Sequence, residues 1–337
     1  MQQARFSLPT VCLVVLAAMA FCPATARAQS CQTSTDLDGA TRAAITTAAQ
    51  RYFDLAAKGD TAALRQNAIP SLASDFSGVE TTIKDRQQDL AGAQATPKSV
   101  FLLEADGTAP IPRAEFYCGV FGKEGQTSGS AEFFLTDLPP GKYAIALLDA
   151  TSPNAHTGFS AVLQQSGTDW KLGGLYLNAG QVAGHDGEWF LARARDYKAK
   201  GQMHNAWFYY VQARSMISPL PFMSTLATDK LIEESQKIQS ADVPAGGKTS
   251  DLAAGTATYK LTAIFPEEVG SDLDLVMRYQ VADVSNTNQA YQGNTAAIKA
   301  LVAKYPELRE AFAAVVARAV DPSGRDFGTL LAMKDIK

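Results

Sequence analysis

The chain has 337 residues, 46% of them hydrophobic and 19% charged, with a formal net charge of −4 and an isoelectric point of about 5.5. That length predicts two or three domains with enough apolar side chains for sizeable cores. The acidic balance and the lack of a basic stripe speak against nucleic-acid binding.

Arg5 is the only charge ahead of an apolar run, Val11 to Phe21, and Ala26-Arg27-Ala28 is a small-x-small cleavage pattern before Gln29. These features predict a secretory signal peptide over 1–28, cleaved after Ala28, and a periplasmic or secreted product. The run is shorter than the ~20 residues that span a bilayer, and no later stretch is apolar enough to do so. Cleavage removes Arg5 and Arg27 and no acid, so the net charge goes from −4 to −6. A lipoprotein alternative would acylate Cys22, but Phe21 before it is bulky where that processing wants a small residue. Cys31 and Cys118 remain after cleavage. In an oxidising compartment such a pair predicts a disulfide tethering the mature N-terminus to a strand. The alternative makes Cys118 a small buried hydrophobe and leaves Cys31 in a loose leader.

Residues 29–38 are polar and read as loose. From Ala40 to Lys58 an apolar stripe (Ala44, Ala48, Tyr52, Leu55, Ala56) predicts a helix stopped by Gly59-Asp60. A second helix is expected over Thr61–Ala68, ending before Pro70, and a third over Ser77–Ala91. After Pro97, runs rich in Val, Phe, Tyr and Leu predict strands near 99–104, 113–121, 129–135, 142–149, 158–165 and 170–177. The turns Leu138-Pro139-Pro140-Gly141 and Ser166-Gly167-Thr168-Asp169 separate them as in an antiparallel meander.

Helices followed by a meander make an α+β layout. With YFDLAAKGDTAALR opening it and SGTDWKLGGLYL closing it, the stretch 36–180 resembles the nuclear-transport-factor-like superfamily of cone-shaped α+β domains. That resemblance implies a pocket between sheet and helices, reachable by Glu115, Tyr117, Tyr143 or Asp149, where enzymes of the superfamily use an acid or a histidine. Strand alternation puts Glu115 and Tyr117 on one face, opposite Phe116 and Cys118. The segment FFLTDLPPGKYAIALLD equally resembles a strand-turn-strand of a prealbumin-like β-sandwich.

Gly187 to Pro219 reads as a helical hairpin, the centre of a helical segment over 187–240. Phe190, Ala194 and Tyr197 share one face, Gly201 stops the first helix, and Asn205 is the expected N-cap of the second. Ala206, Tyr210 and Ala213 repeat the spacing before Pro219. This stretch resembles one tetratricopeptide repeat, a family that needs at least ~3 copies for a stable array. No second copy is present, so a helical clasp between domains outweighs a peptide groove. Trp207, Phe208, Tyr209 and Tyr210 circle the second helix, which predicts burial on more than one face; Trp207, Tyr209 and Tyr210 are the candidate interface. A third helix is expected over Met223–Gln239 and a linker over 241–255.

The last unit, 256–337, reads as ββαββ: strands Ala257–Phe265 and Leu273–Ala282, a helix Thr295–Lys304 capped by Asn294, then a hairpin Phe312–Val320 and Asp326–Met333 around Asp321-Pro322-Ser323-Gly324.

Chemistry-bearing motifs are sparse. Gly247-Lys248-Thr249 is reminiscent of a phosphate loop, but Asp242 stands where the first glycine belongs. His156, His185 and His204 are isolated in sequence, so no metal site is expected. His185-Asp186, on a glycine-rich loop, is the one adjacent histidine–carboxylate pair, readable as a base or as a loop hydrogen-bonding its own turn. No nucleophile elbow, zinc-protease motif or dinucleotide fingerprint occurs. The expectation is an exported α+β protein that binds or scaffolds an envelope protein or a small molecule, without a cofactor. The alternative is an enzyme or small-molecule binder with its pocket in the N-terminal domain.

Overall fold

The computed structural model describes residues 29–120, 127–153, 155–244 and 246–337. The signal-peptide reading, on residues 1–28, lies outside them. The described chain is α+β, with antiparallel sheets and helices in separate layers.

The first unit opens with β1 (Gln29–Gln32) and five helices, α1 (Gly39–Ala57), α2 (Thr61–Gln66), α3 (Pro70–Ser74), α4 (Ser77–Asp85) and α5 (Gln87–Leu90). It continues through β2 (Gln94–Ala105), β3 (Ile111–Cys118), β4 (Ala131–Leu138), β5 (Gly141–Thr151), β6 (His156–Ser166) and β7 (Asp169–Ala179). Helix α1 starts where the Asp38 carboxylate accepts from the amides of Ala40 and Thr41, both at 2.9 Å. It ends at Gly59, whose φ of 69° suits glycine. Pro70 opens α3 rather than only closing the helix before it, because a first-turn residue needs no amide hydrogen.

A five-stranded sheet in the order β1-β2-β5-β6-β7 carries the unit. Period-two alternation gives it two apolar faces. Val100, Leu102, Ala146 and Phe159 meet the α1 stripe of Ile45, Ala49, Tyr52 and Phe53. Phe101, Leu103, Tyr143 and Ile145 meet Phe116, Cys118 and Phe133 of the β3–β4 ribbon. Edge-to-face rings lock both layers, Phe53 on Phe159 at 5.4 Å and Phe101 on Phe133 at 5.2 Å.

Two expectations are corrected here. Residues 29–32 are not loose: they add β1 to the sheet edge, where polar residues are tolerated, and Cys31 is disulfide-bonded to Cys118 of β3 with Cα atoms 5.0 Å apart. The turn Leu138–Gly141 does not join paired neighbours. It is a corner between sheets, with β4 paired to β3 while β5 pairs with β2 and β6, so the meander proper is β5–β6–β7. The segment FFLTDLPPGKYAIALLD thus passes from one layer of a β-sandwich to the other.

The middle of the chain supplies α6 (Gly187–Ala199), α7 (Met203–Ile217), β8 (Met223–Ser224) and α8 (Leu226–Gln236). Gly201, at φ 79°, makes the hairpin turn. Asn205 is not the cap of α7. It is fully buried in the first turn, and its amide donates to the Glu307 carbonyl at 2.6 Å. The expected helix from Met223 is split, because Met223–Ser224 pairs with β4 before Thr225 caps α8.

The last unit is βββααββ rather than ββαββ, its second helix a single turn. Strand β9 (Ser250–Ala254), within the stretch read as linker, precedes β10 (Ala257–Val269) and β11 (Asp272–Gln280). Then come α9 (Thr287–Lys304), α10 (Leu308–Ala311), β12 (Ala314–Val320) and β13 (Asp326–Ala332), in the sheet order β13-β12-β11-β10-β9. Only β11 and β12 pair in parallel, joined through α9. That helix begins eight residues early, capped by Asn286; Asn294 is buried inside it and donates to the Phe327 carbonyl and the Thr329 hydroxyl. Leu261, Leu275, Met277 and Tyr279 on the sheet share a single core with Ile298 and Leu301 of α9 and with Phe190, Tyr197, Phe208 and Tyr209 of the hairpin.

Candidate functional site

The face of the five-stranded sheet opposite the α1 layer is only partly covered by β3 and β4. Leu147, Asp149, Gly158, Ser160 and Asn178 extend beyond that cover toward the helical hairpin. The segment after α7 staples the two halves there. Asn178 Nδ2 donates to the Ser218 carbonyl, the Ser160 hydroxyl to the Pro219 carbonyl at 3.4 Å, and the Phe134 amide to the Phe222 carbonyl at 2.9 Å. Tyr176 and Phe222 meet edge-on at 5.7 Å.

Between these staples and the start of α6 runs a groove. One end is a cleft of about 570 Å³ that includes Asp149, Ser160, Asn178, Asp186 and Glu188. The other is a cleft of about 470 Å³ that includes Phe101, Leu191, Met223, Leu226 and Lys230. Lys98, Leu147, Glu188, Ile217 and Pro219 line both, so the two adjoin. The first cleft is mixed, with Ser160 and Asn178 on the sheet face beside Leu147, the second is more apolar, with Phe101, Leu191 and Met223, and charged side chains stand at the rim. Lys98 and Asp149 pair at 3.4 Å on one side, both solvent-exposed, while Glu188 and Lys230 stand exposed on the helical side. Arg195 also lines the second cleft, its guanidinium engaged in a bidentate pair with Glu234 at 2.8 and 2.9 Å.

The close fit of the hairpin fixes this wall. Gly187 sits where a Cβ would come within 2.7 Å of Ile217 and 3.2 Å of Met216, so α6 starts hard against the end of α7. Asp186 caps α6 by accepting from the Trp189 amide at 2.8 Å. The His185 ring stacks on Trp189 with centroids 3.6 Å apart and planes 3° from parallel. That histidine–carboxylate pair therefore orders the helix start, and Asp186 also contributes to the groove wall.

The four residues expected around one pocket are not brought together. Glu115 and Tyr117 lie on the outer face of β3, with the Tyr117 hydroxyl donating to Glu115 at 2.8 Å and Tyr117 52% exposed. Tyr143 is buried between the two sheets, donating to the Pro139 carbonyl at 2.8 Å. Only Asp149 reaches the groove. The physical reason is the corner at Leu138–Gly141, which puts β3 in a different sheet from β5.

Of the expected interface residues, Tyr209 and Tyr210 turn into their own half of the molecule. Tyr209 donates to the Ala311 carbonyl at 2.8 Å, and burial, with Tyr197 nearby, raises its pKa far above the ordinary phenol value. Tyr210 donates to Glu234 at 2.9 Å; burial first, and the accepting carboxylate second, push it up to about 12. Trp207 is half-buried and borders a separate cleft of about 940 Å³ with Leu175, Tyr176 and Leu177 of the first unit.

Sequence reasoning did not single out Lys98, Leu147, Glu188 or Ile217, and it read Pro219 only as a helix terminator. Among the described residues, no group of three or more Cys, His, Asp or Glu side chains is placed to hold a metal ion. No described helix is long and apolar enough to cross a membrane. No family model matches the chain, and neither a curated protein nor a solved structure matches it.

Proposed function

We propose that this is an exported envelope protein whose activity is binding, with the ligand or partner segment seated in the groove between the first unit and the helical hairpin. The observation that carries the reading is that two adjoining clefts share Lys98, Leu147, Glu188, Ile217 and Pro219 as lining, drawn from both halves of the molecule. Both halves of the molecule supply walls, the apolar second cleft offers area, and the polar groups of the first cleft with a few rim charges give orientation, which is the usual make-up of a binding site at a domain junction. The first unit's interior supports the same reading. The space that a cone-shaped enzyme would leave as a pocket is filled by Tyr52, Phe53, Val100 and Phe159.

The test is affinity capture from an envelope extract with the mature protein, comparing wild type with Lys98→Glu and Glu188→Lys. Both side chains are exposed, and melting temperatures measured alongside separate lost binding from the small effects of losing the Lys98–Asp149 pair or the first-turn acid of α6. The reading expects a captured species that both variants lose and that a distant control, Lys299→Glu, retains. Equal capture by all four proteins refutes the groove.

A further inference from the structure

Strand β7 is the outer strand of its sheet, and the chain itself shows that the free edge takes up a strand. Leu172 donates its amide hydrogen to the Asn67 carbonyl at 3.0 Å and accepts from the Ile69 amide at 2.8 Å. This is a single parallel bridge, and it ends where Pro70 turns the chain into α3. Gly173 then bulges out of register with β6. Beyond it, the Gly180 amide donates to the His156 carbonyl of β6 at 2.7 Å, so the alternation of an antiparallel ladder turns the backbone groups of Leu175 and Leu177 outward. Neither residue has an outward backbone partner among the described residues. Four successive residues, Leu175 to Asn178, line the cleft of about 940 Å³ beside Trp207. Successive strand side chains point to opposite faces, so a cleft that meets all four runs along the edge.

We propose that this cleft receives an extended segment of another polypeptide, which adds to β7 as a sixth strand and carries an acidic side chain. The stretch Leu175 to Ala179 has neither charge nor proline, the usual guards of an exposed edge. The cleft walls do that guarding: an edge lying within a cleft admits a single strand and keeps out the broad sheet of a second copy. Main-chain bonds to Leu175 and Leu177 supply affinity that tolerates many sequences. Trp207, Val211 and Ile232, all half-buried, offer apolar contact from α7 and α8. Arg214 is the charged side chain among the cleft's lining residues. It is exposed and has no ion-pair partner among the described residues, so electrostatic complementarity calls for a carboxylate on the incoming strand. This site is separate from the groove, which it meets only at Asn178, Pro219 and Met223.

The experiment titrates the mature protein with the capped peptide acetyl-Glu-Thr-Val-Thr-Val-Thr-Glu-amide and follows backbone amide resonances. Its strand-forming core suits an open edge, and a glutamate at each end makes the test independent of strand direction. Strand addition predicts saturable shifts at Leu175 and Leu177. It also predicts an affinity that falls at least about tenfold when the peptide amides are N-methylated, the loss expected for one or two hydrogen bonds. The same peptide with both glutamates replaced by glutamine binds more weakly to wild type, and Arg214→Gln, a change at an exposed side chain, erases that preference. No binding at about 1 mM peptide, or equal binding of the N-methylated form, overturns the proposal. So do shifts centred on Lys98 and Glu188 in the groove. Shifts at Leu175 and Leu177 that follow protein concentration without peptide also overturn it, because they assign the edge to a second copy.

Discussion

Tyr52 shows what a single side chain holds together. It is fully buried in α1, and its hydroxyl reaches the carbonyls of Trp170 at 2.8 Å and Asn67 at 3.1 Å, tying the helix layer to β7 and to the end of α2. Tyr52→Phe removes the donor and leaves carbonyls facing an apolar edge, so denaturant unfolding should show a loss of ~1–2 kcal/mol. Asn294 belongs to the same class, since its amide serves the Phe327 carbonyl and the Thr329 hydroxyl from inside α9. Asn294→Ala should cost ~1–3 kcal/mol in the same measurement, because both partners are left in the core. Both Asn294 and Asn205 look like helix caps when read locally, since asparagine suits that position. Their partners, Phe327 and Glu307, are 33 and 102 residues away, and no local pattern reports such a distance.

At the scale of elements, the strands from 94 to 179 were legible as runs rich in Val, Phe, Tyr and Leu, because central strands such as β5 are buried on both faces, and the helix stripes because α1 and α6 each bury one side. What stayed hidden were short or polar pieces formed by pairing alone. β1 reads Gln-Ser-Cys-Gln and β8 is two residues long, so both owe their existence to the strands they meet. The groove was hidden for the same reason, its residues spanning Lys98 to Lys230 and meeting only through the staples after α7.

The hairpin makes two further predictions. Gly187→Ala places a methyl group against Ile217 and Met216, which must repack, so the variant should melt at a lower temperature with its first unit unchanged by hydrogen exchange. Arg195, hydrogen-bonded to Glu234, holds that carboxyl below the ordinary glutamate range against the opposing effect of burial. A lowered carboxylate pKa stabilises the fold above the unfolded-state value and stops doing so as acid protonates it. Glu234→Gln should therefore cost ~0.5–1 kcal/mol near neutral pH, a modest figure because the pair is partly solvent-screened. Chemical denaturation at successive pH values should show that difference closing below the glutamate range.

The whole molecule is organised around two bodies of packing. The first unit is a helix layer, a five-stranded sheet and a small β-ribbon, clamped at its edge by Cys31–Cys118 across 87 residues of sequence. Closing so long a loop constrains the unfolded chain, so reduction should lower stability by ~2–4 kcal/mol, seen as a lower denaturant midpoint with reductant present. The second body joins the hairpin to the C-terminal sheet in one core, with Phe208 and Tyr209 edge-on to Phe312. The rings expected to sink into both neighbours divide unevenly: Phe208, Tyr209 and Tyr210 are buried in the C-terminal core, and Trp207 packs against that core half-buried while bordering the cleft that Leu175, Tyr176 and Leu177 of the first unit also line. What the two bodies share is the seam, and the functional reading stands there. A photo-activatable amino acid placed at Glu188 in the groove, and separately at Tyr291, which is 51% exposed on α9, tests it most directly in envelope extract. The account predicts a discrete crosslinked product from position 188 and none from 291. Equal labelling at both, or labelling only from 291, would contradict it.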